Sequence, residues 1–154
     1  MKKVFYSLLT LMLVATIVCC DKSENDVQAE IGLKNFANTG CKGFTRDGSE
    51  GIVETIAYDV IHKGYLHLNH QNAIFNCCPG ELRADITVEG HIITVSEYDT
   101  EQQCKCVCPY DLSYEIGPLT EGKTYTLSIG YKGQESIVAE FTFRNTLSGI
   151  WQLP

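Results

Sequence analysis

The stretch from Tyr125 to Phe143 reads YTLSIGYKGQESIVAEFTF, and apolar residues alternate with polar ones along most of it. Side chains in a strand point to opposite faces in turn, so Tyr125, Leu127 and Ile129 fall on one face of an extended chain. A Lys-Gly turn signal follows at 132–133, and the alternation then resumes to the end of the stretch. The pattern therefore predicts a β-hairpin.

The same two-residue period recurs through most of the chain. Segments 52–60 and 65–70 flank a His-Lys-Gly turn, and segments 84–88 and 91–95 flank a Glu-Gly turn. A further alternating segment runs from Cys104 to Ile116. No window of helical length shows a 3.6-residue repeat. About seven to nine short strands at this spacing predict an all-β protein with an antiparallel β-sandwich.

A motif of nucleotide-binding proteins occurs in the loop before this hairpin, but its context does not fit. Residues 117–124 read GPLTEGKT, which matches the Walker A pattern G-x-x-x-x-G-K-T. In that motif a helix follows the loop, and the amides at its N-terminus hold the phosphate. The residues that follow here alternate like a strand, so we expect no nucleotide to bind at this loop.

The same loop resembles the corner before strand F of fibronectin type III domains. In those domains a Leu, a Gly and a Tyr recur at the spacing of Leu119, Gly122 and Tyr125, and the tyrosine hydroxyl bonds to nearby backbone. The resemblance is confined to residues 119–129. It implies an immunoglobulin-like sandwich and carries no information about a ligand.

The N-terminus predicts an exported lipoprotein. Two lysines precede an uncharged, mostly apolar run from Val4 to Val18, which is typical of a secretory signal and is shorter than the roughly 20 residues of a bilayer span. Ile17 stands three residues before Cys20, and polar residues follow Cys20. This arrangement resembles the lipobox of bacterial lipoproteins and implies lipid on Cys20. An ordinary signal peptide cut elsewhere is the alternative, since Cys19 replaces the usual small residue.

Cleavage before Cys20 divides the chain into three parts. Residues 1–19 form the signal peptide, residues 20–30 form the lipidated cysteine with a flexible acidic tether, and residues 31–154 form the immunoglobulin-like domain. Acidic residues directly after the lipidated cysteine resemble the surface-export signals of Bacteroidetes lipoproteins. We therefore expect a lipid anchor in a membrane, the outer membrane being favoured, with the domain in the periplasm or at the cell surface.

The acidic charge of the chain argues against nucleic acid as a partner. The full chain has 12 basic and 19 acidic residues, and two of the lysines lie in the signal, which leaves 10 basic residues in the mature protein. A surface with this acidic excess repels nucleic acid and anionic lipid. The length of the mature chain suits a single domain.

The cysteines predict disulfide bonds. Cys19 leaves with the signal and Cys20 carries lipid, so an even number remains for an oxidising compartment. Residues two apart in a strand have Cα atoms about 6.6 Å apart, near the upper limit for a bridge, and a bridge between adjacent cysteines requires a strained turn. We therefore expect each of the later cysteines, 104, 106 and 108, to pair with one of the earlier cysteines, 41, 77 and 78. This rule leaves six of the fifteen possible connectivities open. The disulfide candidates are Cys41, Cys77, Cys78, Cys104, Cys106 and Cys108.

The same thiols permit a metal-binding interpretation. In one unbroken strand the three later cysteines share a face, where thiolates bind Cu(I) or Zn(II) together. The Cys-x-Cys-x-Cys spacing is not the knuckle spacing of zinc ribbons, and the Cys-x-x-Cys of redox proteins is absent. The ligands in this alternative are Cys77, Cys78, Cys104, Cys106 and Cys108.

The remaining polar candidates predict structural roles. His67 and His70 lie three apart and face opposite sides of a strand, so we interpret them, with His62 and His91, as surface or hydrogen-bonded residues. The alternating acidic residues 97, 99 and 101 predict a solvated edge, with a cation-binding or partner-facing patch as the alternative. Trp151 is expected to cap the sandwich, with an anchor for a partner as the alternative.

These observations predict a binding module rather than an enzyme. The sequence contains no G-x-S-x-G motif and no catalytic constellation that its spacing brings together. We expect a lipid-anchored domain, held together by disulfides, that binds a protein, a peptide or a glycan without a cofactor. A thiolate protein that binds Cu or Zn is the alternative.

Overall fold

The computed structural model describes residues 29–43, 53–131 and 134–152, so the predicted signal peptide and Cys20 lie outside the described residues. The described part contains nine β-strands and no helix. The strands are β1 (Gly32–Asn38), β2 (Thr55–His62), β3 (Tyr65–Asn76), β4 (Leu82–Glu89), β5 (Ile92–Asp99), β6 (Val107–Gly117), β7 (Thr124–Tyr131), β8 (Gln134–Thr142) and β9 (Gly149–Gln152).

The strands form two sheets that pack face to face. The five-stranded sheet has the order β1-β6-β3-β2-β9, and the four-stranded sheet has the order β4-β5-β7-β8. The predicted all-β sandwich is therefore confirmed, with a strand count at the upper end of the expected range. The predicted hairpins also form, as β2–β3, β4–β5 and β7–β8.

The order of the strands holds one feature that the sequence analysis did not anticipate. β5 and β7 run parallel, whereas every other pair of neighbours is antiparallel, so the four-stranded sheet is mixed. The strand order also differs from that of immunoglobulin constant domains, where strands A, B, E and D form one sheet and C, F and G form the other. The immunoglobulin-like identity stays a prediction.

The core follows the two-residue period of the strands. Ile93 and Val95 on β5 belong to the same core cluster as Leu66 and Leu68 on β3, and all four are fully buried. Burial of one such side chain contributes roughly 1.5–3 kcal/mol to folding. The largest fully buried side chains, Tyr114, Tyr125 and Phe143, belong to the same cluster. Tyr125, Leu127 and Ile129, which the alternation placed on one face, are therefore all in the core.

A β-bulge interrupts β3 beyond its midpoint. The pairing with β6 shifts between His70 and Ala73, and Asn72 within the bulge has a positive φ of 61°. Because of the extra residue, His70 and Ala73 both point into the core although they are three residues apart. His67 precedes the bulge on the opposite face, as the sequence predicted.

β6 begins later than the alternation suggested. It starts at Val107, so the expectation of one unbroken strand from Cys104 is wrong for Cys104 and Cys106. Hydrogen bonds to the β3–β4 connection hold these two residues in a loop: the Cys77 amide donates to the Cys106 carbonyl, and the Asn76 side chain donates to the Cys104 carbonyl. The backbone there is paired with a connection instead of a neighbouring strand.

The short C-terminal strand closes one side of the core. Trp151 on β9 stacks on Tyr58 of β2 with ring centroids 4.0 Å apart, and it also approaches Phe141 of the other sheet. Gly149 lies opposite Tyr58 in the ladder and leaves room for its ring. Trp151 therefore covers the core edge between the sheets, which agrees with the capping interpretation.

Candidate functional site

Three disulfides join the six cysteines at one end of the sandwich. Cys41 pairs with Cys108, Cys77 with Cys106 and Cys78 with Cys104, at Cα distances of 5.8, 5.5 and 5.4 Å. Each later cysteine pairs with an earlier one, which confirms the predicted rule and selects one of its six connectivities. Disulfides of this number are typical of an oxidising environment outside the cytoplasm.

Asn76, which is buried at the end of β3, organises this end of the molecule. Its side-chain oxygen accepts from the amides of Cys78 and Cys104 at 2.9 and 3.2 Å, and its side-chain nitrogen donates to the carbonyl of Cys104 at 2.7 Å. Its own carbonyl accepts from the hydroxyl of Tyr110. One amide therefore connects the two segments that carry Cys78 and Cys104.

The disulfides use the thiols that the metal-binding alternative needed. All five proposed ligands are oxidised, and no thiolate is left among them to coordinate Cu or Zn. Across residues 29–43, 53–131 and 134–152, no group of three or more His, Cys, Asp or Glu residues is arranged to hold a metal ion. The geometry thus favours disulfide bonds over a metal centre.

The acidic stretch on β5 is buried, which corrects the prediction of a solvated edge. Glu97 and Asp99 are 2% and 4% exposed, and only Glu101, beyond the strand, is exposed. The period was read correctly, because residues 93, 95, 97 and 99 share one face, but that face is the core face. Sequence analysis assigned it to solvent because two of its residues are acidic.

Buried hydrogen bonds compensate the charge of Glu97. Its carboxylate contacts His70 Nδ1 at 2.7 Å and accepts from the Tyr114 hydroxyl at 2.7 Å. His70 Nε2 contacts Glu54 Oε1 at 2.8 Å, and the Glu54 side chain reaches the surface with 38% exposure. A chain of polar groups thus runs from the surface to Tyr114 and joins the two sheets.

Charge and burial oppose each other at His70. Desolvation lowers the pKa of the imidazole, but the hydrogen bonds and charges of Glu54 and Glu97 outweigh it and raise the pKa to about 9. His70 therefore carries its proton at neutral pH. Burial raises the pKa of Tyr114 well above its usual range, and the charge of Glu97 raises it further.

A second polar cluster lies on the outer face of the five-stranded sheet. His67 on β3 contacts Asp59 of β2 through Nδ1 at 2.7 Å and Ser113 of β6 through Nε2 at 2.9 Å. A depression of about 180 Å³ beside the imidazole is lined by Ala57, Tyr58, Asp59, His67 and Asn69. We call Asp59, His67 and Ser113 the outer-face triad.

The outer-face triad was not predicted from the sequence, because its members are remote along the chain or shifted in register. In a regular hairpin closed by the Lys-Gly turn between β2 and β3, Val60 would pair with His67. A register shift between Asp59 and His62 instead places Asp59 opposite His67. Ser113 is 46 residues from His67, and no local pattern links the two.

An open groove lies between the edges of the two sheets. It has a volume of about 680 Å³ and lies between the end of β4 and the segment 29–32 that leads into β1. Each of these strands is the outermost strand of its sheet. Its apolar lining comes from Ile31, Ile86, Val88 and Pro118, and Glu30 and Lys123 add one charge of each sign. We call this feature the edge groove.

The loop with the Walker-like letters forms a corner between strands. The Thr120 amide donates to the Tyr125 hydroxyl at 3.0 Å, and Tyr125 and Leu119 are buried. Gly122 has a φ of 78°, a conformation that suits glycine. Strand β7 follows the loop, so the helix N-terminus that holds phosphate in Walker A proteins is not formed by these residues.

Helices that cross membranes are not found in the part of the chain that the structure describes. Comparisons with protein-family models, with curated proteins and with solved structures found no match for this chain.

Proposed function

We propose that this chain is an exported binding protein, anchored to a membrane by lipid on Cys20, that holds an extended peptide segment of a partner in the edge groove. The observation that carries the proposal is the groove itself. Its volume of about 680 Å³ is within the range of roughly 300–1,000 Å³ that is common for ligand sites.

The walls of the groove favour a peptide in extended conformation. One wall is the end of β4 and the other is the segment 29–32 that leads into β1. Both strands are outermost in their sheets, and each has one side without a neighbouring strand in its sheet. An added strand pairs its backbone with such an edge, and its alternate side chains enter pockets beside it. Ile86 and Val88 offer apolar contacts at alternate positions of β4, while Glu30 and Lys123 complement charges on the peptide.

The groove lies close to the proposed anchor. Ala29 and Glu30, at the end of the proposed tether, line the groove. Ten residues span at most about 35 Å when fully extended. A partner that reaches the edge groove therefore works near the membrane surface, and the oxidising environment that the disulfides indicate agrees with export.

The anchor is tested by fractionation of cells that express the full chain. We expect the wild-type protein in the membrane fraction and the Cys20→Ala variant in the soluble fraction, because acyl chains contribute about 0.8 kcal/mol per buried methylene. Metabolic labelling with a palmitate analogue provides the second readout. Membrane association of Cys20→Ala without label would contradict lipidation at this residue.

The groove is tested with a phage-displayed peptide library, followed by synthesis of the enriched peptide. Thr87→Trp, which fills the exposed lining of the groove, is expected to weaken binding of that peptide at least about tenfold, a loss of roughly 1.4 kcal/mol. Thr94→Trp is the matched control, since Thr94 is the cross-strand partner of Thr87 and does not line the groove. Equal binding by both variants would exclude the groove as the site.

A further inference from the structure

The outer-face triad has the geometry of a nucleophilic site. Ser113 Oγ lies 2.9 Å from His67 Nε2, and His67 Nδ1 lies 2.7 Å from Asp59 Oδ1. Hydroxyl, imidazole and carboxylate therefore follow one another in the order that serine hydrolases use, and that arrangement is recognised by geometry rather than by position in the sequence. We propose that these three residues form a hydrolytic site for short-chain carboxylic esters.

The sheet holds the three groups in place. His67 stands on β3, between β2 and β6, and its direct partner across β2 is Asp59. Ser113 on β6 pairs with Asn69, which is the next residue after His67 on the same face of β3. Ser113 is therefore offset from His67 by one position on that face. Sites built on paired strands keep their geometry better than sites on loops. The His67 side chain is 21% exposed, so a substrate reaches it although its rotation is restricted.

The two contacts of His67 determine one tautomer. The carboxylate of Asp59 accepts only, so Nδ1 donates its hydrogen to Asp59. Nε2 then offers its lone pair to the hydroxyl hydrogen of Ser113. In this state the imidazole is a general base that is already aligned with the nucleophile, and one positioned base contributes roughly 10²–10⁴-fold to the rate.

The surroundings supply a seat for a small acyl group. The depression of about 180 Å³ beside His67 is smaller than a typical drug-sized site, and it therefore suits a short acyl chain such as acetyl. Tyr58 and Ala57 form part of its wall. The edge groove lies elsewhere, between β1 and β4, so this inference goes beyond the proposed function and does not depend on it.

Asn69 provides a donor for the developing oxyanion. It is directly opposite Ser113 in the register, and its buried side-chain oxygen has no hydrogen-bond partner among the described residues. Asn69 also lines the depression beside His67, and its side-chain amide nitrogen carries two N–H donors. Backbone amides of paired strands are engaged in the ladders, so we assign the side chain of Asn69, opposite Ser113, as the oxyanion donor.

The reaction balances with water as the second substrate. Ser113 Oγ attacks the ester carbonyl carbon and its proton moves to His67 Nε2. The tetrahedral intermediate then collapses, the bond between the carbonyl carbon and the alkoxy oxygen breaks, and the leaving alkoxide takes the proton from His67. Water attacks the acyl-serine by the same route, with its proton passing through His67 to Ser113 Oγ. The products are a carboxylic acid and an alcohol.

The test uses the oxidised mature protein with p-nitrophenyl acetate and a fluorophosphonate probe. We expect hydrolysis above the buffer rate and a covalent adduct that peptide mass spectrometry assigns to Ser113. Ser113→Ala is expected to lose the adduct and on the order of 100-fold of the rate. Ser96→Ala, a strand serine of the other sheet, is the matched control and retains both.

Two further variants separate catalysis from structure. Asn69→Ala is expected to lower the hydrolysis rate at least about tenfold, with the far-UV circular dichroism unchanged, because one oxyanion donor contributes roughly 10²–10³-fold in built sites. Thr94→Trp, on β5 and outside both the outer-face triad and the edge groove, leaves the rate as in wild type. Absence of an adduct on Ser113 in the folded protein, or equal rates for wild type and Ser113→Ala, would overturn the proposal.

Discussion

His70 is the residue at which burial and charge act most directly against each other. Its imidazole contacts Glu97 inside the core and Glu54 toward the surface, at 2.7 and 2.8 Å. These contacts keep the folded-state pKa near 9, above the ordinary value of 6.5. The native state thus holds a proton that the unfolded chain releases at lower pH, which makes stability depend on pH.

The sign of this dependence follows from the two pKa values. The stabilisation is fully present below pH 6.5, the unfolded value, and is lost as pH rises through about 9. The size of the shift corresponds to about 3 kcal/mol. We therefore expect the free energy of unfolding, measured with urea, to fall by about that amount between pH 6 and pH 10.

A pair of variants identifies the source of the effect. Glu97→Gln removes the buried carboxylate and is expected to shrink the pH dependence, because less negative charge then stabilises the imidazolium. Glu89→Gln, at the exposed last residue of β4, is the control and keeps the wild-type slope. A wild-type stability that stays flat across this range would show that His70 is not charged in the folded protein.

The residues of this network mark a limit of sequence analysis. Alternation placed Glu97 and Asp99 on one face correctly, but their charge suggested water as the neighbour. What reverses the assignment is a histidine on another strand, turned inward just before the bulge at Asn72. Nothing local to β5 shows that partner, because the contact joins residues 27 positions apart.

At the scale of elements, β9 depends on a single small residue. A Cβ atom built on Gly149 would lie 2.7 Å from Cζ of Tyr58, which is closer than packed carbon atoms approach. The Tyr58 ring occupies that space because it stacks on Trp151. The four-residue strand β9 can therefore pair with β2 at this position because Gly149 has no side chain.

Gly149→Ala is expected to displace the Tyr58 ring and to lower the stability by about 1–3 kcal/mol, the usual cost of overpacking. Trp151 is the sole tryptophan of the chain, so its emission and its near-UV circular dichroism report the change directly. Gly32→Ala, with nothing within 4 Å of the added carbon, is the control. Unchanged tryptophan signals in Gly149→Ala would contradict this account of β9.

The predictability of the elements depended on their neighbours in sequence. Hairpin strands were predicted because two alternating segments and a Gly-containing turn lie together. β1 and β9 have no such partner nearby, since they pair with β6 and β2 across long stretches of chain. The start of β6 was misjudged because Cys104 and Cys106 continue the alternation while disulfides and the side chain of Asn76 hold them in a loop.

At the scale of the whole molecule, two disulfides join the crossings between the sheets. Cys77 and Cys78 lie between β3 and β4, and Cys104 and Cys106 lie between β5 and β6. The two bridges are nested, so either one alone keeps the crossings together. Cys41–Cys108 differs, because it ties the segment after β1 to β6 and has no second bridge beside it.

Removal of these bridges should therefore have unequal effects. With Cys77–Cys106 in place, Cys41–Cys108 closes a loop of roughly 40 residues, so Cys41→Ala/Cys108→Ala is expected to cost about 4 kcal/mol. Cys78→Ala/Cys104→Ala opens only a loop of a few residues and should cost about 2 kcal/mol or less. Urea unfolding of the two double variants without reductant measures both. Equal losses would show that the bridges do not act through loop closure.

Strand order is the global property that the sequence did not reveal. Hydropathy predicts which segments are strands and which face is buried, but the energy of packing two such faces is nearly independent of which strand is the neighbour. The parallel β5–β7 pair and the position of β6 between β1 and β3 arise from contacts between remote segments. The cysteine spacing limited the pairing only at one end.

The contact between His70 and Glu97 forms in only one alignment of the two sheets. His70 belongs to one sheet and Glu97 to the other, and each is nearly without solvent. Two apolar faces can slide past each other at a small cost in free energy, since one leucine takes the place of another. A slide of two residues would instead leave the buried carboxylate of Glu97 without His70, at a cost of several kcal/mol. Among the packing arrangements of these sheets that are nearly equal in apolar burial, the ion pair therefore selects one.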